Sequence, residues 1–194
     1  MTPHVVMVPG LRGDTPTHWQ QVLTPALGAT HLPTHRAPDD LAGRTADITA
    51  SIESREGPVL LVGHSAGVLT ILHWARAAEP GLTSRVHAAL LVTPPALERE
   101  LPGAYPRLGE LRRAGWLPLP QGPLPFDSTV LVSDDDELGP AVVVQGLARR
   151  WGSTVVGAGP VGHANPAAGF GDWPFVAECI RAAGAGAGAG MQVH

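Results

Sequence analysis

The chain has 194 residues, 15% of them charged, and a net charge of −4. That length fills one hydrophobic core rather than two, and that charge supplies no basic surface of the kind that binds nucleic acid or an anionic membrane. No apolar run reaches membrane-spanning length, and Met1-Thr2-Pro3-His4 leads into a strand without a basic leader, so a cytoplasmic location is expected. All thirteen basic residues are Arg. The absence of Lys excludes Schiff-base chemistry, a phosphate-loop lysine and a Ser-Lys dyad. The single cysteine, Cys179, has no partner for an internal disulfide and reads as a packing residue of a C-terminal helix.

His4-Val5-Val6-Met7-Val8 reads as a first strand, ended by the turn-rich Pro9-Gly10-Leu11-Arg12-Gly13. Thr17 to Leu23 predicts a helix, with Thr15 as its cap and Pro16 in its first turn. A strand, a Gly-containing loop and a helix in succession place the Leu11 N–H near the carboxyl edge of a sheet. A short strand is expected around His31 to His35; these two histidines are spaced i,i+4, but Pro33 between them breaks the helical face a shared metal would need. Leu41 to Ser54 reads as an amphipathic helix.

The most informative stretch follows. Val59 to Val62 are four apolar residues after a Gly-Pro break, the pattern of a fully buried parallel strand. After Gly67 the apolar residues fall at Val68, Leu69, Ile71, Leu72 and Ala75, which is helical spacing. Between strand and helix stands Gly63-His64-Ser65-Ala66-Gly67, a G-x-S-x-G. A serine hydroxyl needs exposure and a neighbouring base to act as a nucleophile, and a sharp strand-to-helix turn provides the exposure. Glycines at 63 and 67 leave room where a Cβ would clash. The amide of Ala66, at the helix start, is then a donor for an oxyanion, with Leu11 N–H as the second. His64 leaves the turn in another direction and reads as structural. With no lysine available, the base for Ser65 must be a histidine.

Val86 to Val92 and Ser128 to Ser133 are further strands. Between them, 98–126 is rich in proline and carries Tyr105, Trp116 and Phe126, with a short helix near Leu108 to Ala114. This composition suits a small lid or rim lining a substrate pocket, though an interaction surface has the same composition. Strand Ser128 to Ser133 runs into Asp134-Asp135-Asp136-Glu137. Alternating strand geometry sends these acids in different directions, and no calcium-loop spacing is present, so one acid orienting a histidine is the economical reading and no metal is expected. Pro140 to Trp151 is a helix and Ser153 to Val156 the last strand.

Gly157-Ala158-Gly159-Pro160-Val161-Gly162 matches a dinucleotide fingerprint, yet His163-Ala164-Asn165-Pro166 opens no regular helix and no second strand-helix-strand unit remains. The loop reads instead as the carrier of His163. A helix from Trp173 to Ala183 closes the domain, 1–183, and the Gly-Ala-rich stretch 184–194 reads as a flexible tail.

The order nucleophile, acid, histidine, each just after a strand, is that of the α/β-hydrolase fold: Ser65, an Asp in the 134–136 run, then His163. His163 would take the Ser65 proton while the aspartate fixes the imidazole tautomer.

The sequence resembles the small serine hydrolases that include retinoblastoma-binding protein nine and bacterial YdeN-type proteins. The likeness spans nearly the whole chain before the Gly-Ala tail. It rests on Val8-Pro9-Gly10 with Thr17-His18-Trp19-Gln20, on Gly63 to Gly67, on Ser133 to Pro140, and most specifically on Gly162-His163-Ala164-Asn165 followed by Gly169-Phe170-Gly171-Asp172-Trp173-Pro174. It implies a single-domain α/β-hydrolase fold, a mostly parallel sheet flanked by helices with a minimal lid, and activity on small esters or related acyl compounds. Aligning Ser133 and Pro140 with the ends of that family's acid segment puts Asp136 in the catalytic place. Glu137 stands where that family commonly has Pro, so Asp135 is the alternative. The family name suggests pocket-protein binding, but Cys179 lies in Ala177-Glu178-Cys179-Ile180-Arg181, not in L-x-C-x-E, and that partner is not expected.

The expected protein is thus a metal-independent serine hydrolase of the carboxylesterase type, cleaving small esters, with amides or thioesters as the alternative substrates, through an acyl-Ser65 intermediate. It needs no cofactor, and its partner is a small acyl substrate. A binding or regulatory protein that keeps the fold, and an acyltransferase or haloperoxidase-like use of the same residues, are the alternatives.

Overall fold

The structure, a computed structural model, describes residues 1–186 except Asp14, Glu98 and Ala104. Strands β1 (His4–Val8), β2 (Thr30–His31), β3 (Val59–His64), β4 (Val86–Val92), β5 (Asp127–Val132) and β6 (Thr154–Gly157) form one sheet in the order β2-β1-β3-β4-β5-β6, and every neighbouring pair is parallel. The helices are α1 (Trp19–Ala26), α2 (Leu41–Glu53), α3 (Ala66–Ala77), α4 (Pro80–Thr83), α5 (Leu108–Arg113), α6 (Ala141–Arg150) and α7 (Pro174–Ala185).

A parallel sheet covered on both faces requires strands that are apolar at every position. In β3, Val59 and Leu61 join Ile48 and Ile52 of α2, Ile71 and Trp74 of α3 and Leu147 of α6 in one core. Leu60 and Val62, one residue out of step, join Trp19 of α1 and Val176 and Ile180 of α7 in the other. The period of two thus assigns alternate residues to the two layers. The expected α/β fold with a parallel sheet between helices is the one observed, and among the described residues no helix is long and apolar enough to cross a membrane.

The connectivity locates the site. From β1 the chain turns to β2 on one side and returns to β3 on the other, so the loops leaving β1 and β3 diverge at their carboxyl ends. Such a divergence opens a crevice in doubly covered sheets. Leu11 and Ser65 lie on these two loops.

Several boundaries differ from those the sequence predicts. Helix α1 begins at Trp19, not Thr17, because the His18 ring caps it: Nδ1 accepts from Gln20 N–H at 3.2 Å. Strand β2 covers only Thr30–His31; Leu32 N–H still donates to Met7 O at 3.0 Å, and Pro33 then has no amide to continue the ladder. Helix α4, introduced by Pro80 at its first turn, was not anticipated. Helix α7 continues to Ala185, past the expected tail boundary at 184, because alanine favours helix and Gly184 lies on Pro3 and Leu60. The remainder of the predicted tail, 187–194, lies outside the described residues.

The turn between β3 and α3 is the tightest point of the fold. Ser65 has φ 55° and ψ −123°, a left-handed conformation that costs a side-chain-bearing residue about 1–3 kcal/mol. Its neighbours must therefore be small. A Cβ on Gly63 would stand 2.8 Å from Ile71 Cδ1 and 2.9 Å from Val68 N, and one on Gly67 would overlap the Val8 carbonyl. Since that last obstacle is backbone, Gly67→Ala should destabilise the protein by about 1–3 kcal/mol in urea unfolding, whereas Gly146→Ala, on α6 with open space around it, should not destabilise it.

Candidate active site

Ser65 stands at the amino end of α3, on a turn whose own N–H still bonds Val92 O at 3.0 Å and so continues the sheet. Its Oγ lies 2.7 Å from His163 Nε2, and His163 Nδ1 lies 2.8 Å from Asp136 Oδ2. A carboxylate only accepts, so Nδ1 carries the proton and Nε2 is left as the acceptor for the serine hydroxyl. The three residues come from the ends of β3, β5 and the loop after β6, and they meet only in the folded chain.

The acids after β5 separate as alternation requires. Asp136 is buried at 4% exposure, and its second oxygen, Oδ1, accepts from Leu138 N–H at 2.9 Å. Asp135 faces the other way: its Oδ1 accepts from Gly162 N–H at 2.6 Å and from Ser133 Oγ at 2.9 Å. Asp136 therefore meets the imidazole, and Asp135 holds the loop that carries it. Among the described residues no group of three His, Cys, Asp or Glu side chains is placed to hold a metal ion.

The histidine loop is held by its carbonyls. Trp19 Nε1 donates to Ala164 O at 3.0 Å, and His64 Nε2 donates to His163 O at 2.8 Å. Ala164 has φ 48°, so the loop needs this restraint. Gln20 Nε2 bridges Val8 O and Val62 O, at 3.2 and 3.0 Å, tying together the ends of β1 and β3. These contacts explain the Thr17-His18-Trp19-Gln20 run, whose chemistry sequence reading left unassigned. An indole and a primary amide beside a β1 loop are the signal that points to it, since both are donors that burial forces to find acceptors.

His64, expected to be structural, has a buried ring packed among those of His18, His163 and Trp19, with centroids 4.8, 5.1 and 5.9 Å away. Burial pushes its pKa well below the usual histidine value of 6.5, and the neighbouring His163 and His18 rings add to this. It is thus a neutral donor at pH 7.

Two openings flank Ser65. One is apolar and narrow, with a cavity volume of about 20 Å³, between Leu69, Leu97, Leu101, Trp116 and Leu138. That is room for about one water. The other is an open groove of about 240 Å³ past Arg12, Tyr105, His163 and Asn165. Leu11 borders both, and Ala66 borders the narrow one. Tyr105 and Trp116 of the 98–126 segment therefore line the site, but Phe126 lines neither opening and packs on Trp74, ring centroids 6.4 Å apart. Leu11 N–H and Ala66 N–H, the expected oxyanion donors, lie at the ends of β1 and β3. The Ala66 amide opens α3, where the helix supplies no acceptor.

A family model for serine hydrolases matches residues 5–182, and the chain belongs to that family. A crystal structure of a YdeN-like hydrolase from Pectobacterium atrosepticum superposes with a TM-score of 0.77 at 25% identity, over 95% of this chain and 91% of that one. The ydeN gene product of B. subtilis gives 0.66 at 20% identity, covering 94% and 98%. Est1E of Butyrivibrio proteoclasticus, solved with ferulic acid bound, gives 0.65 at 14% identity, covering 93% and 87%, a likeness of fold. No curated protein matches the sequence.

The lowered His64 pKa has a consequence for stability. Between the ordinary value near 6.5 and its lower folded value, the unfolded chain binds the proton and the folded chain does not, so stability present above pH 6.5 is lost as pH falls. The slope from one such histidine is at most about 1.4 kcal/mol per pH unit. Urea unfolding from pH 7.5 down to 5 should show this fall, and His64→Gln, whose amide also reaches outward as a donor, should make it shallower.

Proposed function

We propose that the protein hydrolyses small carboxylic esters through an acyl-Ser65 intermediate, with Ser65, His163 and Asp136 as a catalytic triad. The carrying observation is the continuous hydrogen-bonded chain from Ser65 Oγ through both nitrogens of His163 to Asp136, at 2.7 and 2.8 Å. His163 Nε2 takes the hydroxyl proton as Oγ forms its bond to the ester carbonyl carbon. Asp136 holds the tautomer and stabilises the imidazolium. The carbonyl oxygen, now an oxyanion, faces the amides of Leu11 and Ala66, each of which contributes about 3 kcal/mol in comparable sites. Collapse of this intermediate breaks the bond to the alcohol oxygen, which leaves with the proton from His163. A water, deprotonated by the same nitrogen, then releases the acid and restores Ser65.

The two openings support an orientation. The narrow apolar pocket suits a short acyl group, and the wider groove suits the alcohol, whose size is then little restricted. Thioesters fit the same scheme with a thiol as leaving group, and RedJ, a thioesterase of Streptomyces coelicolor, shares the fold at a TM-score of 0.61.

Intact-mass detection of a fluorophosphonate adduct tests the nucleophile: the wild type should gain one adduct, and Ser65→Ala and His163→Ala none. Ser65→Ala should also lower kcat on p-nitrophenyl acetate by a factor on the order of 10⁶ while remaining folded. A folded wild type that takes no label would favour a binding protein. Addition of alcohols during turnover separates the acyltransferase alternative, since new ester would accumulate in place of acid.

The pocket carries a second expectation. Across p-nitrophenyl esters, kcat/KM should fall by about tenfold or more from acetyl or propionyl to octanoyl, because each buried methylene needs volume the pocket lacks. Leu97→Ala or Leu101→Ala, which widen it, should shift the preference towards longer chains.

A further inference from the structure

We infer that Arg44 is a positioning residue for the oxyanion amide: it pins and polarises the Gly10–Leu11 peptide so that the Leu11 N–H faces Ser65. The inference rests on the hydrolase reading above and concerns a side chain that touches neither substrate nor triad.

Arg44 is on α2 and only 4% exposed. Burying a guanidinium is costly, and ordinarily a carboxylate accompanies it. Here the nearby carboxylates bond elsewhere: Asp47 pairs with Arg36 at 2.7 Å, and Asp40 accepts from Gly43 N–H at 2.8 Å and from Arg36 at 3.1 Å. Arg44 instead donates to carbonyls. Its Nη1 reaches Gly10 O at 3.2 Å, and its Nη2 reaches Leu11 O at 2.8 Å and Arg36 O at 2.9 Å.

Gly10 O and Leu11 N–H belong to one peptide unit. In a trans peptide they point in opposite directions, so anchoring the oxygen on the α2 side turns the N–H away from α2. Gly13 N–H donates to the same oxygen at 3.3 Å, which closes a turn on that side. No backbone carbonyl among the described residues takes the Leu11 N–H. Gly10 itself lies beside the serine, since a Cβ built there would stand 3.6 Å from Ser65 Cβ and 3.7 Å from His64 Nδ1.

That peptide needs an anchor because it follows glycine. Gly10 has no steric barrier to the rotation that would turn the peptide over, and its missing Cβ would meet only ordinary contacts, so space alone does not explain the residue. A cation bonded to a peptide oxygen also withdraws electron density through the amide, which makes its N–H a stronger donor. The gain is largest when the acceptor is charged, as in the tetrahedral intermediate and not in the ground-state ester.

The test compares wild type, Arg44→Met and Arg44→Lys on p-nitrophenyl acetate, with affinity for a small trifluoromethyl ketone, whose hemiketal presents the oxyanion. Arg44→Met should lose about 10- to 100-fold in kcat with KM within a few-fold of wild type, and ketone affinity should fall in parallel. Arg44→Lys should recover part of both. The Gly10 carbonyl ¹³C and Leu11 amide ¹⁵N shifts, assigned in wild type and Arg44→Lys, report the peptide directly and should move more than those of other residues beside α2. Should Arg44→Met fail to fold, the lysine variant and these shifts decide. A folded Arg44→Met with wild-type kcat, losses that merely follow the unfolded fraction, or unmoved Gly10 and Leu11 shifts in Arg44→Lys would each overturn the inference and leave the hydrolase reading standing. A wild type inert to fluorophosphonate and to ester would instead overturn the hydrolase reading, and this one with it.

Discussion

The contact on which the site depends is the one between the first turn of α3 and the end of β1, where Gly67 lies against the carbonyls of Val8 and Pro9. No side chain fits between them. Because the helix can approach this closely, the left-handed turn at Ser65 is held between β3, β1 and α3 rather than relaxing. The same approach brings Gly10 and Leu11 beside the serine. Ser65 and the Gly10–Leu11 peptide are thus placed together by a missing side chain, and the strain of one residue is carried by the packing of three elements.

Around that contact the chain uses carbonyl oxygens as handles. Trp19 and His64 hold the two carbonyls of the histidine loop, Gln20 joins the Val8 carbonyl of β1 to the Val62 carbonyl of β3, and Arg44 holds Gly10 and Leu11. Each donor is buried, where an unmade hydrogen bond is expensive and a made one is directional. Loops that leave a sheet edge have few ladder bonds of their own, so side chains from α1, α2 and the end of β3 supply the missing partners. This accounts for a polar interior beside an otherwise apolar double core.

The reading of the site divides by the range of the interactions involved. The serine turn was legible because its requirements are local: an apolar run of strand length, glycines two before and two after the serine, and helical spacing afterwards. The histidine was legible from its place after the last strand, and lysine's absence narrowed the choice of base. The choice between Asp135 and Asp136 was not a local matter. Both follow β5 closely, and only the loop after β6, folded against them, gives one the imidazole and the other the Gly162 amide. Arg44 passed unnoticed for the same reason: in sequence it is one polar residue of an amphipathic helix, 34 positions from the carbonyl it holds.

What the sequence determined by itself was the alternation of buried strands and helices, the strained turn that carries Ser65, and the order in which serine, acid and histidine leave the sheet. Each depends on neighbours within a few residues, through backbone sterics and the period of apolar side chains. Tertiary structure decided which acid meets the histidine, where α1 begins, how narrow the pocket beside Ser65 is, and which way the Gly10–Leu11 peptide faces. Those outcomes depend on distances between loops brought together from opposite ends of the chain. No local pattern encodes such distances, because they are fixed only when both faces of the sheet are covered and the buried donors have found their carbonyls.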